Sequence, residues 1–213
     1  MATAPRVPTR RLSRPILAAL CAVTAGCGGG DDGDAEPSDT QEIRGAVERV
    51  MESQDVRDQC ETGASDRFVR EVYVTLARCR RANRPDEDEE PDSATSSATR
   101  IDGDEATTVV TLTSVKGARA TGRVALVKQD GTWKVDRLGV GFLRSIFAAL
   151  PEEAATAGER RVLECLAQAT RELSDAELRR FGNRLIGQQL TEESFPAAAV
   201  RCIRRGAPPA TTA

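Results

Sequence analysis

The chain has 213 residues, 39% of them hydrophobic and 30% charged, with no histidine and a formal charge of −3. Without histidine there is no Ser-His-Asp or Cys-His constellation and no imidazole for a metal, and an acidic chain is a poor ligand for nucleic acid. The length suits one ordinary domain with a small addition.

Arg6, Arg10, Arg11 and Arg14 precede an apolar run at 16–25, which leads into Ala25-Gly26-Cys27-Gly28-Gly29-Gly30. A basic head, a short apolar middle and small residues form a secretory signal. The run is about half of the ~20 residues that span a bilayer, so cleavage is a better reading than an uncleaved membrane helix. The small pair before Cys27 resembles the lipobox of bacterial lipoproteins. That resemblance implies that Cys27 is diacylated, becomes the N-terminus and anchors the exported protein to the outer face of the cytoplasmic membrane. Cys21 is not the acceptor, because Leu20 before it is too bulky. Thr24 departs from the box, which usually carries an aliphatic residue there, and secretion without a lipid is the alternative. Removing residues 1–26 takes away four arginines and no acid and leaves a charge of −7. Residues 27–38 then read as a flexible polar tether.

The folded part, expected over 39–151, begins with a helix at about 40–53. Asp39 and Glu42 have capping-box spacing, and Ile43, Ala46, Val47, Val50 and Met51 share one face. Ser65 caps a second helix in which Phe68, Val69, Val72 and Tyr73 cluster on one side before Leu76 and Cys79. The acidic block Asp86-Glu87-Asp88-Glu89-Glu90 between Pro85 and Pro91 reads as an exposed loop, since contiguous acids lack the spaced ligands and central glycine of a calcium loop. Alternating segments at 94–101, 105–115, 121–129 and 132–139 predict a four-stranded antiparallel meander. Asp102-Gly103 and Asp130-Gly131 supply tight turns, and Lys116-Gly117 a weaker one. The pairs Val110 and Leu112, Val124 and Leu126, and Trp133 and Val135 give the sheet one apolar face.

Residues 140–151 predict a short helix packed back on the domain, followed by a linker at 152–158. A small helical domain is expected over 159–205. It holds a stripe of Val162, Cys165, Leu166 and Ala169, a capping box of Ser174 and Glu177, and a last helix at about 192–204. Residues 206–213 are expected to be a disordered tail. Four cysteines remain after processing, which allows three connectivities in an exported protein. Cys60–Cys79 and Cys165–Cys202 are expected, because each pair falls within one structural unit. Zinc is not expected, because the chain has no closely spaced cysteine pair.

Helices at the N-terminus followed by a sheet holding Ile101-Asp102-Gly103-Asp104-Glu105-Ala106-Thr107 and Val127-Lys128-Gln129-Asp130-Gly131-Thr132-Trp133-Lys134-Val135 resemble the nuclear-transport-factor-two-like (SnoaL-like, ketosteroid-isomerase-like) cone fold. The chain is more narrowly similar to small lipoproteins of actinobacteria that place a disulfide around the helical half of that fold. Three lysines against 27 arginines agree with a high-GC genome. The fold class expected is α+β, with helices on a curved four-stranded antiparallel sheet and an all-α tail.

The cone family contains enzymes and non-enzymes, so the pocket has to decide. Its isomerases and dehydratases use a base and a donor in an apolar cavity. Here Tyr73 with Asp136 or Glu71 would have to serve. Tyr73 sits on an apolar helix face, as a core tyrosine does, and Asp136 is expected to face solvent. No catalytic residue and no cofactor is therefore assigned. Phe68, Val72, Tyr73, Val110, Leu112 and Trp133 would line any pocket. The expected function is non-catalytic binding of a protein partner or a small apolar ligand, with a homodimer as one form of partner. The alternative is a small isomerase-like or dehydratase-like enzyme.

Overall fold

The computed structural model describes residues 38–83, 92–189, 197 and 200–202. The signal segment, Cys27, the tether up to residue 37, the acidic block, most of the expected helix at 192–204 and the tail at 206–213 lie outside these residues. The architecture is α+β. Helix α1 (Asp39–Met51) is followed by a π-turn at Asp58–Thr62, a short α2 (Asp66–Phe68) that continues as a π-helical turn over Val69–Tyr73, and α3 (Leu76–Ala82). Strands β1 (Ser93–Asp102), β2 (Glu105–Thr113), β3 (Arg119–Gln129) and β4 (Thr132–Leu138) form one antiparallel sheet in sequence order. Helices α4 (Val140–Ala149), α5 (Ala157–Arg171) and α6 (Asp175–Ile186) complete the described chain.

The turns explain the meander. Asp130 and Gly131 both have positive φ, 54° and 77°, which gives a two-residue hairpin loop the twist of its flanking strands. The β1–β2 loop is Gly103-Asp104, one residue later than the sequence suggests, with Gly103 at φ 59°. The apolar positions of β2, β3 and β4 face α1 and α4, so Val110, Val124, Trp133 and Val135 are inaccessible to solvent. At the outer edge of β4, Gly63 O accepts from Val135 N–H and Ser65 N–H donates to Val135 O, so the segment before α2 covers that edge.

Two local expectations are corrected. Ser38 and Gln41, one residue upstream of the expected pair, form the capping box of α1, which frees Asp39 for a tertiary contact. The second helix is broken: Val74 takes φ 68°, and Thr75 caps a new start at Leu76. Beyond the break Leu76 is 37% exposed.

The helical tail packs on the same core as the sheet. Residues 152–158, read from sequence as a linker, hold the end of a 3-10 turn at Leu150–Glu153 and the start of α5. Leu178 and Phe181 of α6 are buried in one cluster with Phe142, Leu143 and Phe147, and the Phe147 and Phe181 rings stack at 5.3 Å. Arg144 on α4 donates to the carbonyls of Thr170, Arg171 and Leu173 and to Asp175, satisfying acceptors at the α5–α6 turn. The Ser174–Glu177 capping box forms as its spacing predicts, and its two bonds from Ser174 hold the Glu177 carboxyl below its ordinary range. Both expected disulfides are present, Cys60–Cys79 and Cys165–Cys202.

Candidate functional site

The six residues expected to line an internal pocket lie between the helices and the sheet, packed into the core. Phe68, Val72, Tyr73, Val110 and Trp133 are buried, and Leu112 packs against them partly buried. The Trp133 indole N–H donates to Asp39 Oδ1 at 2.8 Å, and Lys128 Nζ sits 3.0 Å from the same oxygen and 5.6 Å from the indole centroid. The Trp133 bond and then the Lys128 ammonium hold the Asp39 carboxyl below its ordinary range. Tyr73 Oη donates weakly to Asn83 Oδ1 at 3.5 Å, and burial pushes the phenol above its ordinary range. A tyrosine so placed keeps its proton.

Asp136 and Glu71, the carboxylates that a catalytic Tyr73 would need, belong to a different surface. Asp136 does not face solvent as expected: its side chain is 14% exposed. Its position is set by a bulge, because Ala125 pairs with Arg137 and Leu126 pairs with Val135, leaving Asp136 as the extra residue. Buried Ser65 donates from Oγ to Asp136 Oδ1 at 2.8 Å and accepts the Phe68 N–H as the cap of α2. Arg67 lies 3.5 Å from Asp136 and donates from Nε to Glu71 at 2.8 Å. Glu71 first, then Asp136, raises the Arg67 guanidinium above its ordinary range.

These groups border a groove of about 470 Å³ on the sheet face turned away from α1 and α4, lined in part by Arg67, Arg100, Asp102, Glu105, Asp136 and Arg137. Register sets its geometry. Arg100, Thr107, Ala125 and Arg137 are successive cross-strand partners, so two arginines bracket a floor of small side chains. The next row towards the Gly103 turn is Asp102, Glu105, Val127 and Lys134. On the other side, Arg123 pairs with Val109 and is a diagonal neighbour of Arg137. Among the described residues, the side chains of Arg100, Arg123 and Arg137, like those of Arg44, Arg70 and Arg119, have no hydrogen bond or ion pair, whereas Arg57, Arg67, Arg80 and Arg144 each have a carboxylate; what sets the first three apart is that they share one sheet face.

This arrangement can bind anions and cannot be seen in the sequence one residue at a time. Alternation along each strand marks the outward positions, but only the register and the bulge at Asp136 gather Arg100, Arg123 and Arg137 on one face. No group of His, Cys, Asp and Glu among the described residues could hold a metal ion, and no described helix is long and apolar enough to cross a membrane. No protein-family model matches the chain, and no curated protein or solved structure matches it either.

Proposed function

We propose that the chain is a lipid-anchored extracytoplasmic protein that acts as a non-catalytic binding module, with the outer face of its sheet as the binding surface. The observation that carries this reading is the contrast between the two faces. The inner face is filled by Trp133, Val110 and Val124 at zero exposure, while the outer face gathers Arg100, Arg123 and Arg137, which have no ion-pair partner among the described residues, around small side chains. An internal catalytic pocket needs a base and a donor in one cavity, and Tyr73 and Asp136 occupy different environments. The kinship with actinobacterial cone-fold lipoproteins belongs to this proposal.

The placement outside the cytoplasm rests on the signal-like segment and on Cys27, and two disulfides suit an oxidising compartment. Cys27→Ser tests it. The variant should leave the membrane fraction and appear in the soluble extracytoplasmic fraction, and unchanged membrane association would sink the anchor.

A further inference from the structure

We propose that the outer sheet face binds an extended acidic segment of a protein partner, its alternate carboxylates pairing with Arg100, Arg123 and Arg137. This rests on the reading of that face as the binding surface. Arg123 and Arg137 are like charges on neighbouring strands and repel, and among the described residues neither they nor Arg100 has an ion-pair partner, so an external anion would stabilise them. The spacing selects the kind of anion. Arg100 and Arg137 are three strand spacings apart, roughly 14 Å, too wide for one phosphate or carboxylate to bridge. Arg123 and Arg137 are diagonal neighbours, about 7–8 Å apart. In an extended peptide, side chains on one side recur every ~7 Å, and every fourth residue lies ~13 Å away. Carboxylates at i and i+4 therefore match Arg137 and Arg100, and Arg123, ~8 Å from Arg137 and ~12 Å from Arg100, reaches the one at i+2 through its long side chain.

The floor suits a backbone. Thr107, Ala125 and Val109 are small enough for an extended chain to approach the sheet, and the Thr107 hydroxyl can donate to or accept from it. Of the groove's acids, Asp136 is held by Ser65 and Arg67, whereas Asp102 and Glu105 occupy the row nearest the Gly103 turn and fix polarity: they repel an acidic segment laid along that end and leave the arginine end for it. Arg67 is already satisfied by Glu71 and Asp136, so it shapes the wall and does not bind the peptide's carboxylates.

The test uses the full chain in a non-ionic detergent with a fluorescently labelled peptide of alternating Glu and Thr, and one of alternating Gln and Thr as control. The acidic peptide should bind, more weakly as salt rises. Replacing all three arginines with Gln should weaken binding by roughly tenfold, at about twofold per exposed pair. Replacing them with Lys should restore part of the affinity, which separates lost charge from a lost fold. Equal binding of the Gln peptide would overturn the acidic class while leaving the face a binding surface. Full affinity in the triple-Gln variant would overturn this face as the site, and so would absence of binding by the native chain. Arginine-dependent binding to phosphatidylglycerol vesicles in place of the peptide would show that the anion is a lipid surface. Release of the Cys27→Ser variant reads the anchor alone and is unaffected by any of these results.

Discussion

The Trp133 indole donates to Asp39 Oδ1 at 2.8 Å, which fastens the first turn of α1 to the closing hairpin of the sheet across 94 positions of sequence. The contact has a sign in pH. The Asp39 pKa is depressed from its ordinary 3.8, so its stabilisation is whole above that value and is lost as pH falls through the lower folded value. Lys128, raised from 10.5 chiefly by Asp39, contributes below that value and is lost as pH rises through the folded one. Asp39→Asn should therefore lower the melting temperature at neutral pH and flatten the acid limb of the stability profile. Trp133 is the sole tryptophan, so its emission reports both effects.

Gly122 makes a second sharp prediction. A Cβ there would lie 2.4–2.6 Å from backbone and Cβ atoms of Phe142, where α4 crosses β3. Gly122→Ala should cost about 1–3 kcal/mol, since the obstacle is largely backbone. Gly141→Ala, with nothing within 4 Å of the added carbon, should be neutral or stabilising. Thermal melts of the two variants side by side check both signs.

The disulfides close segments with sequence separations of 19 and 37. Removing either pair as Ser/Ser should lower stability by roughly 3 kcal/mol on the chain-entropy account. Loss of Cys60–Cys79 should also loosen the Tyr73–Asn83 region, because Asn83 Nδ2 lies 3.4 Å from Cys79 Sγ. Hydrogen exchange at residues 69–83 should rise more in that variant than without Cys165–Cys202, whose loss reaches this segment only through Gln188 and Gln189 donating to the Ala82 and Val72 carbonyls.

Arg144 is the polar fastener of the tail. Arg144→Ala leaves the carbonyls of Thr170 and Leu173 without their charged donor and should cost about 1.5–3 kcal/mol. Arg144→Lys should recover only part, since a single ammonium cannot reproduce the fork. Denaturant midpoints of the two variants decide it.

The fold was legible where local chemistry and tertiary packing agree. Val110, Val124 and Trp133 alternate inward as their spacing requires, Ser174 and Glu177 close their box, and the Asp130-Gly131 turn joins β3 to β4. Sequence reasoning failed where a tertiary contact decides a local choice. Asp39 leaves the cap to Ser38 because Trp133 and Lys128 claim it, and Val74 breaks a segment read as one helix from Ser65 to Cys79. The candidate site was the least legible part. Asp136 reads as an outward residue of β4, and only the bulge shows that its side chain is mostly buried against Ser65. Arg100 and Arg137 stand 37 positions apart and meet on one face only through the pairing of four strands.

The central claim is that the interior is filled by the chain's own side chains and that binding belongs to the outer face of an anchored protein. Native mass spectrometry of the protein from an exporting host tests it most directly. The account predicts an N-terminus at Cys27 carrying lipid, a mass reduced by the four hydrogens of two disulfides, and no small molecule released on denaturation. A retained signal segment, or an apolar ligand freed when the fold is opened, would contradict it.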